Sequence, residues 1–178
     1  MFRRIDRRWK AARTLADLGT LTADWLEGSL PGGHPGGYDR PDPETLPLIP
    51  TLAAANRARF VTDVSQPGWD GIGYDGHRWE QRAAVDGYIA AGPLLDRIVA
   101  AASAAGLLVE VDGRSIPVTR SQGQTKTAFG AQPPVSYVRH CWPRAAVPPI
   151  LAAHRLLIAD RRFGPHDRLW RVLDEAVR

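Results

Sequence analysis

Four polar side chains, Glu44, Thr45, Thr62 and Ser65, stand in stretches whose apolar character gives local structure no need of them. A carboxylate accepts hydrogen bonds from hydroxyl or amino groups, and a serine or threonine hydroxyl both donates and accepts. Together they suit a nucleoside or amino-acid ligand. Ser65, Gln66 and Pro67 close an expected strand. Proline cannot donate to a ladder, so the chain turns there and the last strand side chains face a loop mouth, where ligands usually sit. For Glu44 and Thr45 the competing reading is a plain helix-capping role.

The elements that must position these groups follow from neighbouring residues. Asp42-Pro43 is a helix-start signal, but Pro47 and Pro50 each remove a backbone donor, so the regular helix is expected to begin near one of them and to run to about Ala58. That leaves Glu44 and Thr45 in a turn ahead of it. Phe60 to Gln66 predicts a strand, with Phe60, Thr62 and Val64 on one face and Val61 and Asp63 on the other. The glycine-rich stretch from Gly68 to His77 reads as a ligand loop in which Trp69 and Tyr74 offer flat faces to an adenine or a sulfonium cation. Asp70, Asp75 and His77 within it match no EF-hand or octahedral metal spacing.

The stretch from Glu44 to Gln81 resembles the C-terminal regulatory domain of methylenetetrahydrofolate reductases, which is separate from the flavin-bearing catalytic barrel. The family carries a Glu-Thr pair, then Asn-Arg, then a strand ending Asn-Ser-Gln-Pro, as here at Glu44-Thr45, Asn56-Arg57 and Val64 to Pro67. Arg78 to Ala83, Pro134 to Tyr137, Asp160 to Phe163 and Leu169-Trp170 look like further islands of the family pattern, and Trp25 to Gly28 resembles the helix end that precedes its Glu-Thr. The resemblance implies S-adenosylmethionine or S-adenosylhomocysteine as ligand, with no flavin and no metal. It implies contacts from Glu44, Thr45, Thr62 and Ser65, and a pocket shaped by Gln66, Trp69 and Gln81. Further ligand threonines are candidates at Thr125 and Thr127. Two positions depart from the pattern: Arg59 replaces a glycine, which suggests a different bend, and Val64 replaces an asparagine, which removes a polar contact.

The rest of the chain reads as scaffold. Residues 1–13 form a basic arm with Phe2, Ile5 and Trp9 able to share a helical face, ahead of a module at 14–178. Thr14 caps a helix from Leu15 that Gly28 stops, and 29–41 reads as a flexible Gly/Pro linker. Trp79 to Ile89 alternates as a strand, Gly92-Pro93 opens a helix ending at Gly106, and Asp112-Gly113 suits a hairpin turn between 107–111 and 116–118. Residues 119–127 read as a polar loop and Val135 to Trp142 as a strand carrying Cys141 as a small buried residue. A short helix at 148–154, a strand from Arg155 to Asp160 and a helix capped by Asp167 close the chain.

At 178 residues the chain has room for one cored domain and none for a barrel of about 250 residues. Its formal charge of +4 raises nucleic acid as a partner, but the basic residues are almost all arginine, a pattern that fits a GC-rich genome. A single cysteine excludes an internal disulfide. The N-terminal charges lead into no apolar run, so no signal peptide or membrane span is expected and the location is expected to be cytoplasmic. The expected fold is α+β in a single domain, a mixed or antiparallel sheet of about five strands packed against helices. The expected function is small-molecule binding or sensing, with a protein partner or a homodimer to receive the signal. The alternatives are an enzyme that consumes S-adenosylmethionine, with Glu44 or Asp70 as base, and a nucleic-acid or protein-interaction module.

Overall fold

The computed structural model describes residues 6–178. Asp6 caps α1 (Arg7–Ala11), whose Trp9 is wholly buried, so this end of the chain packs onto the domain; Phe2 and Ile5 lie outside the described residues. Helix α2 (Leu15–Leu26) opens on a reciprocal capping box, Asp17 N–H donating to Thr14 Oγ1 at 3.0 Å and Thr14 N–H to the Asp17 carboxylate at 3.0 Å. Residues 29–41 follow as an anchored wall where a flexible link was expected: Leu30 and His34 are buried and His34 N–H donates to Tyr38 O at 2.7 Å. Burying two side chains offsets the ordering entropy of the flanking glycines.

A 3₁₀ turn (Pro43–Leu48) carries Glu44 and Thr45 and leads into α3 (Ile49–Arg57). Helices α2 and α3 approach so closely at Gly19 that any side chain there would strike the Asn56 carbonyl. Arg59 then adopts a φ of 79°. This is the left-handed region that glycine favours, adopted here by an arginine.

Among the described residues eight strands form two four-stranded antiparallel sheets, so the fold is α+β in a single domain with more strands than the expected five or so. The first sheet has the order β1 (Val61–Gln66), β4 (Ala84–Ile89), β8 (His154–Ala159), β5 (Leu108–Val111). The second has the order β2 (Trp69–Ile72), β3 (Arg78–Gln81), β6 (Ile116–Ser121), β7 (Gln124–Phe129). One face of the first sheet, with Val85, Ile89, Leu156 and Ile158, packs on α3, α4 (Pro93–Ala104) and α7 (Arg168–Val177). Val61 and Tyr88 join α1, α2, α5 (Val135–Cys141) and α6 (Val147–Leu151) in a second cluster, and Leu157 and Ala159 meet Val118 of the second sheet in a third.

Five expectations are corrected here. The stretch 68–77 is a hairpin, β2 and β3, and 119–127 lies largely in the hairpin β6–β7, which turns at Gln122-Gly123 with both φ positive. The long strand at Trp79–Ile89 breaks at Arg82-Ala83, where the chain crosses from one sheet to the other. β5 and β6 do not pair, because Asp112 spends its carboxylate on the Arg155 N–H at 2.8 Å and on His154, tying β5 to β8. Residues 135–141 are helical, since Pro134 sets the helix start and Val138, Cys141 and Trp142 are buried at helical spacing. Cys141 is free and buried, as expected, though on a helix.

Candidate functional site

A cavity of about 190 Å³ lies between α2, the 29–41 wall, the 3₁₀ turn and β1. Glu44 and Thr45 line it from the turn, and Thr62, Ser65 and Gln66 line it from β1. Alternation alone would send Asp63 and Ser65 away from Thr62. A β-bulge changes this for Ser65: Thr62 pairs with Gly87 and Val64 with Asp86, leaving Asp63 unopposed, so Ser65, opposite Val85, returns to the face of Thr62, and every residue from Thr62 to Gln66 borders the cavity.

Each strand residue has a distinct environment. Thr62 Oγ1 accepts from Asn56 Nδ2 at 2.7 Å, and Thr62 N–H donates to Asn56 Oδ1 at 3.1 Å. Its hydroxyl proton remains for a ligand acceptor, while the wholly buried Asn56 serves as a brace. Gln66 is fully occupied: its amide donates to the Arg82 and Val118 carbonyls at 3.0 and 2.9 Å and accepts from Thr119 Oγ1 at 3.0 Å. It stitches the first sheet to the second and borders the cavity as structure. Asp63 binds Arg155 at 2.8 Å, and Arg155 also holds Asp86 at 2.7 Å. Burial works against the Arg155 charge, but Asp63 and Asp86 hold its pKa above the ordinary arginine value. Asp86, its burial outweighing Arg155, stays above the usual carboxylate range.

Glu44 is also raised, first by partial desolvation and then by the neighbouring Asp42, while a hydrogen bond from Gln81 opposes both. Gln81 therefore reaches the site through Glu44. Trp69 does not border the cavity; it lies on β2, 40% exposed, with its ring over Gly71. Tyr74 is 98% exposed, Thr125 and Thr127 are exposed on β7, and Asp70 is bound to Arg78 at 2.6 Å on the second sheet.

The opposite wall carries residues the sequence reading did not assign to a site. Thr22 and Trp25 border the cavity from α2, and among the described residues Thr22 Oγ1 and Trp25 Nε1 have no hydrogen-bond partner. His34 and Tyr38 border it from the 29–41 wall. The His34 ring packs against Trp9, Trp25 and Trp142 at centroid distances of 5.0, 5.0 and 5.2 Å, and burial depresses its pKa to about 4. It is thus neutral at pH 7, and since Nδ1 accepts from Gly36 N–H at 3.1 Å, its proton is assigned to Nε2. The signal in the sequence was a histidine, a tyrosine and charged residues directly after a glycine run.

Part of the arginine surplus is spent in pairs: Arg57 on Glu27 at 2.5 Å, Arg78 on Asp70 at 2.6 Å, Arg120 on Glu80 at 2.8 Å and Arg155 on two aspartates. Among the described residues no group of three or more His, Cys, Asp or Glu could hold a metal ion, and no helix is long and apolar enough to cross a membrane. What the cavity can do is bind. It offers carboxylates for a cation, hydroxyls of both polarities and aromatic faces in Trp25 and Tyr38. No curated protein matches the chain. The family model described as Domain of unknown function (DUF6919) matches residues 4–178, and the chain belongs to that family.

Proposed function

We propose that the cavity binds S-adenosylmethionine or S-adenosylhomocysteine and that the protein acts as a sensor of that ligand, in the manner implied by its resemblance to methylenetetrahydrofolate reductase regulatory domains. The observation that carries the reading is convergence. Glu44, Thr45, Thr62 and Ser65, separated along the chain, border one cavity, and Gln81 meets it through Glu44. A sulfonium or an ammonium is complementary to Glu44 and Asp42, Asp63 being held by Arg155, and Trp25 and Tyr38 add cation–π surface. The enclosed volume of about 190 Å³ is smaller than the roughly 300 Å³ of a typical small-molecule site, so one end of the ligand is enclosed and the rest reaches through the mouth.

Isothermal titration with both ligands tests this. Micromolar binding is expected, weakened on the order of tenfold or more by Glu44→Gln, which removes the charge facing the ligand, and by Ser65→Ala, which removes a hydroxyl facing it. Absence of heat from either ligand with a folded sample would overturn the reading. Chromatography of the recovered ligand addresses turnover. The raised pKa of Glu44 is what favours an enzyme that consumes S-adenosylmethionine, and new products would establish one.

A further inference from the structure

The mouth of the cavity carries charges that the chain itself leaves unmatched. Arg40, Asp42 and Glu44 all border it, two residues apart along one segment. Among the described residues Arg40 makes no ion pair, as is also true of exposed arginines such as Arg139 and Arg144, but Arg40 borders this cavity. Asp42 likewise has no cationic partner, and Glu44 has only the neutral amide of Gln81. Two carboxylates side by side repel, and a guanidinium within reach has not folded onto either of them. A second observation also points to a ligand: Thr22, 2% exposed, borders the same cavity with an unpartnered hydroxyl.

A simple cation would satisfy the carboxylates and meet repulsion from Arg40. A simple anion would do the reverse. A zwitterion satisfies both, because an α-amino acid carries its ammonium and its carboxylate on one carbon, and the planar guanidinium fork matches a carboxylate through two parallel hydrogen bonds. We infer that Arg40 anchors a ligand carboxylate at the cavity mouth, so that the site selects the α-amino-acid end of its ligand. This rests on the S-adenosyl reading for the ligand's identity, but the carboxylate anchor itself does not require the nucleoside.

The test compares wild type, Arg40→Gln and Arg40→Lys by isothermal titration with three probes: S-adenosylhomocysteine, 5′-methylthioadenosine, which lacks the amino-acid end, and L-methionine. Melting curves of the three proteins should coincide, since Arg40 is exposed and unpaired. Wild type is expected to bind S-adenosylhomocysteine at least tenfold more tightly than 5′-methylthioadenosine. Arg40→Gln should erase that difference by weakening S-adenosylhomocysteine alone, and Arg40→Lys should recover part of it. Equal affinity of wild type for the two adenosyl probes, or an Arg40→Gln protein that keeps its preference or loses both probes alike, overturns the inference. Arg40-dependent binding of L-methionine with no adenosyl binding would keep the anchor and overturn the S-adenosyl reading. No binding of any probe overturns both.

Discussion

The two sheets solve the same problem, a guanidinium against a carboxylate, in opposite surroundings. In the first, β4 is buried along its whole length, and its Asp86 meets Arg155 on β8 at 2.7 Å with the Gly130 N–H adding a bond at 2.9 Å. In the second, Glu80 of β3 lies directly opposite Arg120 of β6, 2.8 Å away, in a sheet whose β2 and β7 are largely exposed. Water solvates the second pair whether or not it forms, so its loss changes little. The first pair has no water to fall back on, and removing one member strands the others. The cavity lies on the strand where these regimes meet: β1 is the edge of the buried sheet, and its Asp63 reaches both the cavity and Arg155.

The sharpest way to break this contrast is to remove each guanidinium in turn. Arg155→Leu leaves Asp63 and Asp86 uncompensated and is expected to cost about 3–5 kcal/mol in urea denaturation. Arg120→Leu should leave the midpoint unmoved, and equal losses would end the distinction. A smaller effect comes from His34 on the far wall. In the unfolded chain it takes up a proton as pH falls through about 6.5, while in the folded protein it resists protonation down to about 4. Its contribution is therefore whole above pH 6.5, declines as pH falls and is gone near pH 4, a change of about 3 kcal/mol. Denaturation at pH 7, 5.5 and 4.5, with His34→Gln as the comparison, isolates it: the variant should show a shallower pH dependence. Smallest is the seam between the sheets. Gln66→Leu leaves the Arg82 carbonyl and the Thr119 hydroxyl without that partner and removes one of the two bonds to the Val118 carbonyl, an expected loss of about 2 kcal/mol. The same variant should speed hydrogen exchange in β6 more than in β8, and uniform change would mean that Gln66 is not a local stitch.

What could be read before the fold was known divides along the range of the forces involved. The capping box at Thr14, the helix from Pro93 and the turn after Gln66 are settled within a few residues, and each stands where it was expected. The polar group at Glu44, Thr45, Thr62 and Ser65 was legible because polarity without a local purpose is a local signal too. The bulge at Asp63 was not, since it depends on register against β4. Helix α5 was missed because β-branched and aromatic residues favour a strand only weakly, and burial of Val138 and Trp142 against α1 and α6 outweighs that preference. Trp69, legible as an aromatic beside glycines, went to the exposed hairpin instead of the cavity, because β2 pairs with β3 away from β1.

The sequence by itself determined the caps of α2 and α4, where the first strand must stop and which polar residues near it lack a local structural purpose. Tertiary structure alone decided that the strands divide into two sheets, that Ser65 turns to the same side as Thr62, and that a glycine-rich segment with His34 and Arg40 closes the wall facing Glu44. The physical reason is that caps and turns are completed by neighbours in the chain. Pairing, burial and charge compensation are completed by partners tens of residues away, and their free energy appears only once both faces of a sheet are covered.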